Sequence, residues 1–363
     1  MLDGINFKTI WWSLVHVVLS NNLIHIVWCA GILIFMIVLA VLHHKWKFDY
    51  GKKMLLWRLI WQTRWCRMLR PPVTTTVTNT ARDIPAANTS AVNDMKIVTL
   101  VENTCGDERC IAEHGLCIYI ETERHKLLLD SGQTDAVVKN AQALGIDLTA
   151  VDTVILSHGH YDHSGGIMPF SEINKSARII MQRTAAGEHY NGERYIGIDK
   201  AILSLPNVMM ADGDIRLDDE LYIFSGIQGR RCYPEGNRKL TCEKDGIKVP
   251  DDFAHEQCLV ITQNGKNWLL SGCAHNGILN ILDRYREIFG CDPDYVISGF
   301  HMMKKDGEYT DEEKAVILET AHELSKMDTI FYSGHCTGIP AFEMMKEIMG
   351  SKLIALHSGT QII

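Results

Sequence analysis

The chain contains no Cys-x-x-Cys pair, no surplus of basic residues and no glycine period. Each absence excludes something. With an odd total of 11 cysteines and no zinc-ribbon spacing, neither a disulfide framework nor a small structural zinc module is expected. The thiols read as free, in a reducing compartment. With 36 basic against 44 acidic side chains, a net charge of −8, the chain offers no general footprint for nucleic acid, and none is expected as a partner. Hydrophobic residues make up 46% of the 363, too many for a disordered chain. They are, however, unevenly spread.

Residues 24–42 (IHIVWCAGILIFMIVLAVL) form a run of nineteen with His25 as the one strongly polar member. About 20 apolar residues are needed to cross a bilayer as helix, so a transmembrane span is expected there. One basic residue, Lys8, precedes it, and eight follow by Arg70, which puts the C-terminal side in the cytoplasm. The expected organisation is a membrane segment at 1–47 and a basic, aromatic juxtamembrane helix at 48–70. In that helix Trp57, Trp61 and Trp65 recur on one side. A Thr-, Asn- and Pro-rich flexible linker follows at 71–94, and then a catalytic domain at 95–363.

Within that domain, 116–122 and 126–132 read as a strand pair around Glu123-Arg124-His125, 135–145 as a helix stopped by Gly145, and 151–157 as a buried strand. Residues 257–263 and 266–272 flank Asn264-Gly265, a hairpin signal. Beyond them helices at 276–289, 310–326 and 340–349 alternate with strands at 294–298, 329–334 and 353–357. Hairpins first and α/β units later imply sheets sandwiched by helices.

The segment Ser157-His158-Gly159-His160-Tyr161-Asp162-His163-Ser164-Gly165-Gly166 sets four metal-ligand side chains within six positions, just after a buried strand. Imidazoles and a carboxylate suit zinc or a similar divalent ion, with a coordination place left for water. Gly159, Gly165 and Gly166 are expected to let the backbone turn tightly there.

This segment resembles the His-x-His-x-Asp-His signature of the metallo-β-lactamase superfamily. Glu113-His114-Gly115-Leu116, Leu128-Leu129-Asp130-Ser131-Gly132, Ser271-Gly272-Cys273-Ala274-His275, Gly299-Phe300-His301 and Gly334-His335-Cys336-Thr337-Gly338 are similar to one branch. That branch is named for 7,8-dihydropterin-6-yl-methyl-4-(β-D-ribofuranosyl)aminobenzene 5′-phosphate synthase. The resemblance covers about 95–363 and implies an α/β fold, the four-layer αβ/βα sandwich, here preceded by an N-terminal transmembrane helix and linker. It implies that His158 and His160 hold one metal, and Asp162 and His163 a second. His275 and His335, each ending an expected strand, are taken as the remaining ligands, and Asp130 as the residue that orients a ligand histidine. Where many relatives carry Gly-Asp, this chain has Gly272-Cys273; Cys273 either ligates as thiolate or leaves the bridge missing. Two zinc ions are expected, with manganese(II) or iron(II) as alternatives.

A divalent ion lowers the pKa of bound water toward about 7, so the expected activity is hydrolysis of an ester, phosphoester or related bond of a small molecule. Asp162 and His301 are the candidate catalytic residues, and His255 is a weaker candidate ligand. Arg230 and Arg231, in a variable loop at 228–253, are candidates for holding a phosphate group on the substrate. Two alternatives stand beside the hydrolase. One is a transferase that joins a pterin methyl group to an aminobenzene ribotide with loss of pyrophosphate. The other is a non-catalytic ligand sensor. The expected location is membrane-anchored with the domain on the cytoplasmic side.

Overall fold

The computed structural model describes residues 95–363. The expected span at 24–42, the juxtamembrane helix at 48–70 and the linker at 71–94 lie outside the described residues. Among the described residues no helix is long and apolar enough to cross a membrane.

Two sheets carry the fold. The first has strands β1 (Lys96–Val101), β2 (Cys117–Glu121), β3 (Lys126–Leu129), β4 (Thr153–Ile155), β5 (Arg178–Gln182) and β8 (Val208–Ala211), in the spatial order β1-β2-β3-β4-β5-β8. The second contains β9 (Ile215–Arg216), β10 (Leu221–Phe224), β13 (Cys258–Gln263), β14 (Lys266–Leu270), β15 (Tyr295–Ile297), β16 (Ile330–Ser333) and β17 (Leu353–Ala355), in the order β17-β16-β15-β14-β13-β10-β9. Alternate side chains divide between faces, as period two requires. Ile118, Ile120, Leu127 and Leu129 of the first sheet meet Ile223, Leu259, Ile261 and Leu270 of the second in one shared core. The opposite face of the first sheet, with Cys117, Tyr119, Leu128 and Val154, is covered by helices α1 (Ala136–Leu144) and α3 (Ile167–Ile173). The outer face of the second is covered by α4 (Ile278–Phe289), α5 (Asp311–Ser325) and α6 (Ile339–Met349). The result is helix, sheet, sheet, helix.

Local signals hold where the sequence is explicit. Asn264 and Gly265 sit at φ 53° and 70°, the turn that joins β13 to β14. Gly145 ends α1 in the left-handed conformation, and Thr310 with Glu313 closes a capping box on α5. Three expectations need correction. The strand expected over 151–157 is shorter, because the Ser157 amide leaves the ladder and donates to Asp130 Oδ1 at 2.7 Å. The loop expected over 228–253 contains a 3₁₀ turn at Glu235–Lys239 and strands β11 (Leu240–Lys244) and β12 (Ile247–Pro250). These pair with β6 (His189–Asn191) and β7 (Arg194–Tyr195) as a third sheet, β12-β11-β6-β7. Finally, Gly165 and Gly166 have ordinary helical φ values of −65° and −81°. They are required for space: a Cβ on Gly165 would strike the Gln133 carbonyl oxygen, and one on Gly166 that of Ser131.

Candidate metal centre

Strands β3, β4 and β5 run parallel in one sheet, and β14, β15 and β16 in the other. Ligands of parallel α/β sheets collect beyond the carboxyl ends of such strands. The expected ligands and their support lie there: Asp130 follows β3, His158 to His163 follow β4, Cys273 to His275 follow β14, His301 follows β15 and His335 follows β16. Asp130, Ala274, His301 and His335 have φ of 59°, 52°, 51° and 48°. Non-glycine residues in this conformation store about 1–3 kcal/mol each, and they gather at functional sites.

His158, His160 and His275 form a near-equilateral triangle, with ring centroids 4.6, 4.7 and 4.8 Å apart. They are buried, and the Nε2 atom of each has no hydrogen-bond partner. The opposite ring nitrogen fixes the tautomer of two of them. The Ser157 hydroxyl donates to Asp130 Oδ2 at 2.7 Å, so its oxygen accepts from His158 Nδ1 at 2.8 Å. His275 Nδ1 donates to Asn237 Oδ1 at 2.9 Å, while Asn237 Nδ2 donates to the His275 carbonyl at 2.7 Å. Both Nε2 atoms are thereby left with bare lone pairs. Burial, together with the neighbouring histidines, holds all three imidazoles well below their usual pKa.

A second group faces this triangle. His163 Nδ1 donates to Asp130 Oδ2 at 2.7 Å, and His335 Nδ1 to Asn103 Oδ1 at 3.0 Å. Their Nε2 atoms lie 3.1 Å apart, and His163 Nε2 is also 3.1 Å from Cys273 Sγ. Asp162 Oδ2 stands 3.4 Å from His335 Nε2, 3.8 Å from His163 Nε2 and 3.3 Å from His114 Nε2. Burial alone would raise the Asp162 pKa, but the adjacent His163, His114 and His335 hold it well below the usual carboxylate range. Burial likewise pushes His163 down, and the Asp130 and Asp162 carboxylates overcome it, leaving that imidazole raised.

These donors fit divalent metal. A buried polar atom without a partner costs about 1–3 kcal/mol, and three such nitrogens, two of them with bare lone pairs, are satisfied together by a cation. Two Nε2 lone pairs 3.1 Å apart beside a carboxylate and a thiol ask for the same. Asp130 serves both groups, holding His163 directly and His158 through Ser157.

The structure thus brings together His158, His160, Asp162, His163, His275 and His335, with Asp130 behind them and Cys273 between. His301 stands in the cleft wall, its ring 4.0 Å from that of His275, with Nδ1 buried and without a partner. Three candidates take other places: His255 stands behind the triangle in a cluster with His160, His189 and Asp251, and the two arginines lie outside the main cleft. His255 accepts from the Gly159 amide through Nδ1 and faces Asp251 through Nε2 at 3.4 Å, so it braces the loop between His158 and His160. Arg231 pairs with Asp283 and Glu323, and Arg230 lies over the Tyr233 ring, so neither lines the main cleft. That cleft, about 670 Å³, is lined instead by Arg194, Lys239, Lys304 and Lys305. The roles of Asn103, Asn237 and Glu256 were not legible in the sequence. Glu256 accepts the backbone amides of His275 at 2.6 Å and Asn276 at 2.9 Å. Only His114, in its Glu-His-Gly-Leu stretch, had a signal, and it stands at the cleft mouth against Asp162.

The chain is similar to known proteins to different depths. The chain is 28% identical over 262 residues to the uncharacterized protein MJ0448 of Methanocaldococcus jannaschii, covering 69% of this chain and 94% of that protein. It is 29% identical over 300 residues to the 7,8-dihydropterin-6-methyl-4-(beta-D-ribofuranosyl)-aminobenzene-5′-phosphate synthase of the same organism, covering 75% and 97%. The crystal structure of Tm1679, a metal-dependent hydrolase of the beta-lactamase superfamily, superposes with a TM-score of 0.64 at 28% identity, over 74% of this chain and 99% of that one. The model of the metallo-beta-lactamase superfamily matches residues 111–295, from the loop before β2 through the histidine segment to β15. With that match spanning more than half of the 363 residues, His158 to His163 and His275 among them, the chain belongs to the metallo-beta-lactamase superfamily.

Proposed function

We propose that the chain is a metal-dependent hydrolase of a small, anionic ester or phosphoester, using two divalent ions, zinc foremost. The observation that carries this reading is the set of unpartnered Nε2 atoms on His158, His160 and His275 beside the His163–His335–Asp162 group, opening onto one cleft. Divalent ions held there supply Lewis acidity and a nucleophile from water at neutral pH. The chain's own groups do the rest. Asp162 Oδ2 is placed to accept a proton from the attacking water, and His114, 3.3 Å away and 41% exposed, relays it toward solvent. Arg194, anchored over the Tyr161 ring, and Lys239 and Lys305 at the cleft wall attract a negatively charged substrate. Asn237, in the 3₁₀ turn at Glu235–Lys239, and Glu256 hold His275 by its Nδ1 and its backbone amide.

The test is turnover of bis-nitrophenyl phosphate and nitrophenyl esters by the full chain, stripped and reloaded with zinc or manganese. Turnover restored by metal supports the reading; a fully loaded chain inert toward every such substrate overturns it. A second reading, favoured by the 29% identity to the aminobenzene-phosphate synthase, is group transfer. It predicts pyrophosphate release only when both a pterin and an aminobenzene ribotide are supplied. The same proposal places the domain at the cytoplasmic face of a membrane, on the strength of the apolar run at 24–42 and the basic residues after it. Protease cleavage of the domain in inverted but not in right-side-out vesicles checks that.

A further inference from the structure

Cys273, His301 and Cys336 bring two thiols and an imidazole to one point, with one ligand atom of each within 4.8 Å of the other two. They arrive from three neighbouring strand ends, after β14, β15 and β16. Cys273 and Cys336 are 3% and 4% exposed. The His301 backbone amide points at Cys336 Sγ at 3.3 Å, and its side-chain Nδ1 has no partner. An imidazole with an unpartnered ring nitrogen, held beside two buried thiols on a left-handed backbone, is an arrangement that a shared ligand would satisfy.

We propose that Cys273, His301 and Cys336 form a third metal position, selective for a thiophilic divalent ion such as zinc, cobalt or cadmium. Two thiolates on one tetrahedral zinc, at about 2.3 Å each, stand about 3.8 Å apart, which the cluster accommodates. Three ligands leave a fourth place, and all three residues line the cleft, so that place faces bound small molecules. Sulfur donors set this position apart from the imidazole and carboxylate groups beside it, since soft ligands select differently among first-row metals. Cys273 belongs to both, its Sγ lying 3.1 Å from His163 Nε2. The position uses none of His158, His160 or His275, so loss of the triangle does not remove it, although through Cys273 it adjoins the second group. An ion there also occupies His301 in the cleft wall, so excess thiophilic metal slows turnover.

The test uses the full chain, reduced, stripped by chelator and titrated with cobalt(II). The expected result is a thiolate-to-cobalt charge-transfer band in the near ultraviolet. Cys336→Ser removes one equivalent of bound cobalt together with the part of the band that this position supplies, and His301→Ala removes the same equivalent, while His158→Ala leaves the band in place. A band lost in Cys273→Ser but untouched in Cys336→Ser overturns the proposal, because only one thiolate then ligates. X-ray absorption of the cadmium-loaded wild-type chain needs no variant to fold: sulfur neighbours in a number that one cysteine cannot supply support the position, and their absence overturns it.

Discussion

The two halves of the metal centre are built from the same residue type and differ in how their lone pairs are treated. None of the Nε2 atoms of His158, His160 and His275 has a hydrogen-bond partner. His163 and His335 present theirs to each other, to Cys273 and to Asp162. Without metal, the second group can satisfy itself by taking up a proton between imidazole and carboxylate, whereas the first cannot. The difference teaches that a shared histidine signature does not make two equal sites. One half is pre-formed at a cost in the metal-free chain, and the other exchanges a proton for a metal.

The sharpest way to break this comparison is to remove a corner of the triangle. His158→Ala is expected to lower turnover by more than about 100-fold, since even partners of ligands are worth about 10–100-fold. Retained activity with full metal content would deny the triangle its role. Next is Asp130→Asn, which touches both halves through His163 and Ser157. It should weaken metal at both positions by about 10–100-fold, read by competition with a chromophoric chelator. Loss at one position alone would show that the shared carboxylate does not couple them. A smaller effect separates the halves. Asn237→Ala frees only His275 and Asn103→Ala only His335, so each should weaken one position, by about 10-fold, and leave the other intact. Stepwise metal release from the two variants, in opposite order, is the outcome that sharpens the comparison.

How much of this was legible beforehand depended on whether the information was local. The segment 157–166 declared itself because its ligands sit within one turn of chain, and Asn264-Gly265 because a two-residue turn is a local rule. The α/β units at the C-terminal end were readable from periodicity, with ends displaced by a residue or two. Residues 174–256 were less so: β5 pairs with β8, and β6 with β11, across distant chain, as Cys242 lies opposite His189. The β6–β7 and β11–β12 pairs are local hairpins around Asn191-Gly192 and Asp245-Gly246, and it is their joining into one sheet that no local rule marks. The supporting asparagines follow the same logic. Asn103 reaches His335 across 232 positions and Asn237 reaches His275 across 38, so nothing in their own neighbourhood marks them. Arg230 and Arg231 mislead for the opposite reason. Adjacent charges look like a phosphate clamp in sequence, but Asp283 on α4 and Glu323 on α5 claim Arg231 at the surface.

The mildest test reads the comparison through acid stability of the metal-free chain. His158, His160 and His275 are held below the imidazole value of about 6.5 that they recover on unfolding. As pH falls through that value the unfolded chain binds protons there that the folded chain refuses, so stability falls. His163 is raised, and its contribution has the opposite sign: it is fully present below about 6.5 and is lost as pH rises through the folded value. With His255, which burial also holds low, four imidazoles against one leave a net loss on acidification, each group worth up to about 1.4 kcal/mol per pH unit. The thermal midpoint of the chelator-treated full chain should therefore drop between about pH 7.5 and about pH 5.5, at about 2–4 °C for each kcal/mol. In His163→Gln the drop should steepen, because the one opposing group is gone. A midpoint that holds level or climbs on acidification would mean that the triangle accepts protons when it lacks metal, and that the two halves are alike after all.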